Sequence, residues 1–390
     1  MNARTTGSAG VAPARTDAAT PFRFYDNRQK YLAFVNTCNE KSGIAQRATL
    51  ELKHIHPTPP AVRIFDAGMG DGTVLARIMR SAHWQGPTLP LLVVAKEISL
   101  EDVRLGLEKM PDRFLEHPAT VLVMTNLNYS EAPRLMPRDI QSAAALNWHE
   151  VRLKGQTSHE YAEQIDELAS TLDFGWQTTP SPRTGNPVYV RPSVLVMYRE
   201  DRHFLLDRVI PKPGQTFESY DLIVASQPWR ARMPAEFKAQ KVLAPLARSL
   251  APNGRLLVIQ SYGRDPALEI IQMLWPDEDP FRVNRHHLLA ALKSELGRDA
   301  KEFSLTAPAD EKSIFRYEMH TLPNEIGDHI GTSTLFAAWN AAIYVNQIED
   351  ERLDQVVTSG GYLDATQAVL HKHGGLWFND ETFVVSRRRK

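Results

Sequence analysis

Apolar positions divide the chain into three rhythms. Residues 1–20 show no periodicity; Ala, Thr, Gly and Pro dominate, and the segment reads as a disordered tail. Across 21–60, Tyr31, Phe34 and Val35, then Ile44, Ala48 and Leu52, recur at three- and four-residue steps. That spacing predicts two helices with a break in 36–43. From residue 61 onward, short apolar runs alternate with helical patterns. Strands are expected at 62–65, 91–95, 120–124, 220–225 and 255–260, with helices at 74–79, 100–110 and 236–250. Such alternation predicts an α/β fold: a doubly wound, mostly parallel sheet with helices on both faces.

Two segments break the alternation. Within 131–218, Ser158 precedes a helical face of Tyr161, Ile165, Leu168 and Leu172, a Pro- and Gly-rich loop spans 178–192, and a hairpin is expected from 194–198 and 204–210. Within 323–375, Leu335, Trp339, Ala342 and Ile343 mark a helix, and strands are expected on either side at 313–321 and 382–386. The core is therefore assigned to 61–130, 219–322 and 376–390. The 131–218 insertion is expected to cap a substrate, and the 323–375 insertion to act as a cap or a homodimer contact.

Composition narrows the functional classes. Lys and Arg number 45 against 46 Asp and Glu, a net charge of −1, which argues against a protein that holds nucleic acid by bulk positive charge. No apolar run reaches the length of a membrane span, and the first residues lack the apolar centre of a secretory signal. A single cysteine, Cys38, forms no intramolecular disulfide, in keeping with a cytoplasmic setting. The pairs His54/His56, His286/His287 and His371/His373 lack the thiolate or H-E-x-x-H context of a zinc site, so no metal is expected.

The chemistry concentrates at Asp66-Ala67-Gly68-Met69-Gly70-Asp71-Gly72, directly after the first strand. Glycines there permit a tight turn and close approach of a ligand to the backbone. A dinucleotide loop would place a small residue at 73, where Thr73 stands. An acid just before the first glycine would also repel a pyrophosphate and suit a cationic amine. With these residues the sequence resembles the class I S-adenosylmethionine-dependent methyltransferases, whose first motif is acidic-x-G-x-G-x-G. The resemblance extends to Glu97 after the second strand, and to Leu250-Ala251-Pro252-Asn253-Gly254-Arg255-Leu256 before the fifth. It implies a seven-stranded Rossmann-like sheet and S-adenosylmethionine as cofactor, with S-adenosylhomocysteine as product. It also implies that Asp66, Gly68, Gly70 and Gly72 cradle the cofactor and that Glu97 takes its ribose hydroxyls. Asn126 stands where the family has an Asp near the adenine. Tyr25 and Tyr31 precede the first motif, where such enzymes carry helices that cover the cofactor.

At the fourth strand's end, Ser226-Gln227-Pro228-Trp229 resembles the [Asp/Asn/Ser]-x-Pro-aromatic motif of amine-directed members, with Gln at a position usually Pro or aliphatic. By that resemblance Ser226 and the Gln227 carbonyl hold an amine and Trp229 stacks on it. The expected activity is N-methylation of a small-molecule amine by in-line transfer. The alternatives are O-methylation of a hydroxyl or carboxylate, methylation of RNA or protein, and a non-catalytic binding protein on the same fold.

Overall fold

The computed structural model describes residues 28–182, 185–215, 218–321 and 323–389. Tyr25 and the N-terminal tail lie outside the described residues. The chain begins with helices α1 (Arg28–Thr37) and α2 (Glu40–Leu52). Strand β1 (Val62–Asp66) is followed by α3 (Thr73–Gln85), β2 (Leu91–Lys96), α4 (Leu100–Leu107) and β3 (Thr120–Thr125). Then come β4 (Asn147–Leu153), a small two-stranded sheet of β5 (Thr178–Pro180) and β6 (Pro187–Tyr189), and β7 (Ser193–Arg199). The remaining strands are β8 (Tyr220–Ser226), β9 (Leu250–Ser261), β10 (Phe303–Ser304), β11 (Ile314–Glu318) and β12 (Trp377–Arg387).

One sheet runs β10-β12-β9-β8-β1-β2-β3-β7-β4, with β11 also paired to β12. The five strands β9-β8-β1-β2-β3 are mutually parallel, and β12 and β7 run antiparallel to their inner neighbours β9 and β3. The sheet is doubly wound and mostly parallel as expected, but among the described residues it holds ten strands rather than seven. Part of the surplus comes from β4 and β7, which extend the sheet beyond β3.

Every residue of β2 and β3 is buried, as strands covered on both faces require. The pleat sends alternate side chains to opposite layers. Phe65, Leu92, Val94, Val121 and Val123 enter one core, and Ile64, Val93, Leu122 and Met124 the other. A third core gathers Phe34, Tyr317 and Phe378 with the helices Pro266–Leu274, Thr332–Val345 and Gly361–His373. Segments some 300 positions apart thus meet: Asn340 donates to the Lys30 carbonyl at 3.0 Å, and the Phe34 and Tyr344 rings lie 5.1 Å apart.

Two expectations fail for physical reasons. The segment after β7 is not the second arm of a hairpin; a 3₁₀ turn at Glu200–Arg202 leads into the short helix His203–Leu206. Phe204, Leu205 and Leu206 are consecutive, not alternating, and only Leu206 is buried. The partner of β7 is instead β4, whose polar residues disguised it. The helix expected at 236–250 contains a π-helical stretch, Ala239–Leu243, just before Pro245. Proline has no N–H for the Lys241 carbonyl and its ring clashes there, and the wider turn absorbs the defect.

Candidate active site

The strand order reverses between β1 and β8, so their carboxyl ends open a crevice where an open α/β sheet binds ligands. Asp66 ends β1 and Ser226 ends β8. A cavity of about 1230 Å³ occupies this crevice.

Its β1 end is wired through the backbone. The Gly68 amide donates to Asp66 Oδ1 at 3.2 Å. Glu97, just beyond β2, accepts from the Gly70 amide at 2.9 Å through one oxygen, and from the Ile98 and Ser99 amides at 2.7 and 2.9 Å through the other. Glu97 therefore pins the glycine loop to the neighbouring strand, leaving about one of its roughly four lone-pair directions open. The three glycines do different work. A Cβ on Gly68 would meet none of the described residues within 4 Å, so the loop faces the cavity there. A Cβ on Gly72, where φ is +76°, would fall 2.6 Å from Gly106 Cα on α4. Gly72 does not line the cavity; it allows α3 to begin against α4. Gly70 lies beneath the N-terminal helices: its Cβ would sit 3.1 Å from the Tyr31 hydroxyl and 3.9 Å from Lys41 Nζ.

Charge at this end is unbalanced. Asp66 is 4% exposed, and burial pushes its carboxyl up to about 7, against the Gly68 amide and Lys41; Glu97 adds to the rise. Burial also opposes the Lys41 charge, but Tyr31, Glu40 and Asp71 outweigh it and hold the ammonium above the ordinary lysine range. An acid that resists ionisation thus faces the cleft beside a fixed cation.

The β8 end is built from side chains. Ser226 Oγ is buried and has no hydrogen-bond partner among the described residues. Gln227 takes φ +49°, which proline cannot adopt, so the backbone departs here from that of a motif with Pro in this position. Its side-chain amide reaches Ser261 Oγ at 3.1 Å and both Asp380 oxygens at 3.3 Å. Trp229 is largely buried; its indole N–H donates to Gln260 at 2.9 Å and Lys238 Nζ lies 5.4 Å from its ring centroid. Tyr129 donates to the Pro228 carbonyl at 3.1 Å, joining the β3 and β8 exits.

Asp66, Gly68, Gly70, Glu97, Asn126, Ser226, Gln227 and Trp229 all line the one cavity. Asn126 lines the cavity with a side chain that is also tied to the scaffold. Its amide nitrogen donates to the Gly175 and Arg191 carbonyls, each at 2.9 Å, and its oxygen accepts from the Ser193 amide at 2.8 Å. Both of its N–H groups are thereby committed to holding the 131–218 segment. The sequence reading passed over Glu40, Lys41, Tyr129, Tyr317 and Tyr344, which line the cavity too. Only the adjacent charges of Glu40-Lys41 in a helix break offered a signal. Among the described residues no group of three or more His, Cys, Asp or Glu stands together to hold a metal ion, and no helix is long and apolar enough to cross a membrane.

No protein-family model and no curated protein matches the chain. Among solved structures it is similar to a geranyl diphosphate methyltransferase in complex with GPP and sinefungin, at 12% identity and TM-score 0.32, covering 88% of this chain and 77% of that one. It is similar to the phosphoethanolamine N-methyltransferase 2 of Haemonchus contortus in complex with S-adenosyl-L-methionine, at 10% identity and TM-score 0.30, covering 88% and 53%. It is also similar to the cyclopropane synthase MmaA2 of Mycobacterium tuberculosis, at 14% and 0.29, covering 88% and 83%. These likenesses are too slight to assign a function; the site's own residues carry the functional reading.

Proposed function

We propose that the chain is an S-adenosylmethionine-dependent methyltransferase that methylates the nitrogen of a small-molecule amine. The observation that carries this reading is the open space over Gly68, flanked by the Asp66 and Glu97 carboxylates and continuous with the unpartnered Ser226 hydroxyl. The residues fit the cofactor. Asp66 suits its α-ammonium, Lys41 its carboxylate, and the open lone pair of Glu97 a ribose hydroxyl. The bound cofactor would supply a methyl group already activated on a sulfonium.

What remains for the protein is alignment and exclusion of water. Ser226 Oγ, at the end of β8, accepts from the acceptor N–H, and Trp229 and Tyr129 close the cavity around it. Calorimetric titration with S-adenosylhomocysteine, followed by a screen of amines and alcohols with labelled methyl donor, tests the reading. Absence of S-adenosylhomocysteine binding would refute it.

A second reading is supported by the backbone at Gln227. Its positive φ separates this site from the form of the amine-directed motif with proline there, which leaves a hydroxyl acceptor beside Ser226 as the alternative. Labelled product from alcohols and none from amines would select it.

A further inference from the structure

The acceptor end of the cavity carries more acid than any role above uses. Glu40 opens α2, is 7% exposed and lines the cavity. Asp380 on β12 is fully buried, and its oxygens hold the Gln227 amide. Burial raises both carboxyls first of all. Glu40 and Asp265 push Asp380 further, and Asp71 does the same for Glu40, while Lys41 pulls Glu40 back. Among the described residues Lys41 is the one cation acting on Glu40, and it is shared with Tyr31 and Asp71. Buried carboxylates short of cations are costly unless they hold protons or meet a positive ligand.

A second, independent feature points to a ligand. Tyr317 is 2% exposed, lines the same cavity, and its hydroxyl has no partner among the described residues. The charges that bear on it most are Asp380 and then Glu40. Around it stand aromatic faces: Tyr317 stacks on Phe378 at 5.0 Å, Phe34 meets Tyr317 edge-on at 6.1 Å, and Tyr344 lies 5.1 Å from Phe34. Acid, an unsatisfied hydroxyl and aromatic rings together suit an organic cation.

We infer that the acceptor enters as an aliphatic ammonium, with Glu40 as its counter-ion and the acceptor of its proton. This rests on the methyltransferase reading above. The Glu40 carboxylate takes a proton from the ammonium, breaking N–H and forming O–H. The freed nitrogen lone pair then forms the N–C bond as the C–S bond breaks, its electron pair passing to sulfur. The products are a methylated ammonium, the neutral thioether and a proton that Glu40 returns to solvent. Tyr317 accepts an N–H of the incoming ammonium.

The test titrates the full chain, saturated with S-adenosylhomocysteine, with 2-phenylethylamine, 2-phenylethanol and phenylacetate. The amine is expected to bind at least about ten-fold more tightly than the alcohol, and phenylacetate not at all. Glu40→Gln should erase the amine preference in the chain saturated with S-adenosylhomocysteine, as loss of a charge-assisted contact to the ammonium would. Tyr317→Phe should reduce the preference about three-fold, as loss of one neutral hydrogen bond would. Equal binding of amine and alcohol, or no binding of either, overturns the inference and leaves the methyltransferase reading standing. A Glu40→Gln chain that keeps the amine preference also overturns it. A wild-type chain that does not bind S-adenosylhomocysteine refutes the underlying reading, and this inference falls with it.

Discussion

The two ends of the cavity are built on different principles. At the β1 end, backbone amides of Gly68, Gly70, Ile98 and Ser99 fix two carboxylates, and the residues involved lie within two short stretches of chain. At the β8 end, side chains from residues 226–229, 317 and 344 converge from separate segments, Asp380 holds Gln227 from behind, and Glu40 lies between the two ends. A site wired through its own loop keeps its shape whatever packs above it. A convergent site holds its shape only as well as the surrounding core does. Changes at the first end should therefore move cofactor affinity alone, and changes at the second should move acceptor handling alone.

The largest separation should come from Asp66→Ala. Removing the carboxylate is expected to weaken S-adenosylhomocysteine binding by about a hundred-fold or more, measured by calorimetry, because the charged partner of an ammonium is lost. Gly72→Ala strikes the scaffold instead. A side chain at φ +76° set against Gly106 should cost roughly 2–4 kcal/mol of stability in urea unfolding. The pH profile comes next. A pKa near 7 for Asp66 means that the empty site holds a proton at lower pH, and a cationic ligand must displace it. Affinity for S-adenosylhomocysteine should fall as pH drops through 7, by up to about ten-fold per unit. Proton release on binding should grow over the same window, read from titrations in buffers of different ionisation enthalpy. The smallest effect belongs to Trp229→Phe. Loss of the indole bond to Gln260 should cost about 1 kcal/mol of stability and raise acceptor KM, with cofactor affinity unchanged.

The same contrast explains what the sequence made legible. Asp66, the glycines and Glu97 announce themselves because a strand end, a tight loop and a second strand end each leave a local pattern. Tyr317 and Asp380 left none, and Glu40 only a pair of adjacent charges. Each sits in an ordinary-looking stretch and gains meaning only when the sheet and the helices around Phe34 bring them together. Asn126 has a role its place after β3 did not reveal: its amide holds a segment that starts a few residues later and returns at Ser193. The β4 strand was missed because its polar residues blur the alternation, although it pairs with β7 along its whole length.

The acids buried along the crevice have a consequence for the life of the protein in a cell. Asp66 and Glu40 line it, and burial raises both carboxyls against ionisation. Ligands that answer those charges bind only the folded chain, so occupancy draws the molecule away from open, protease-sensitive states. The abundance of the protein should therefore track the supply of its ligands, with idle molecules degraded soonest.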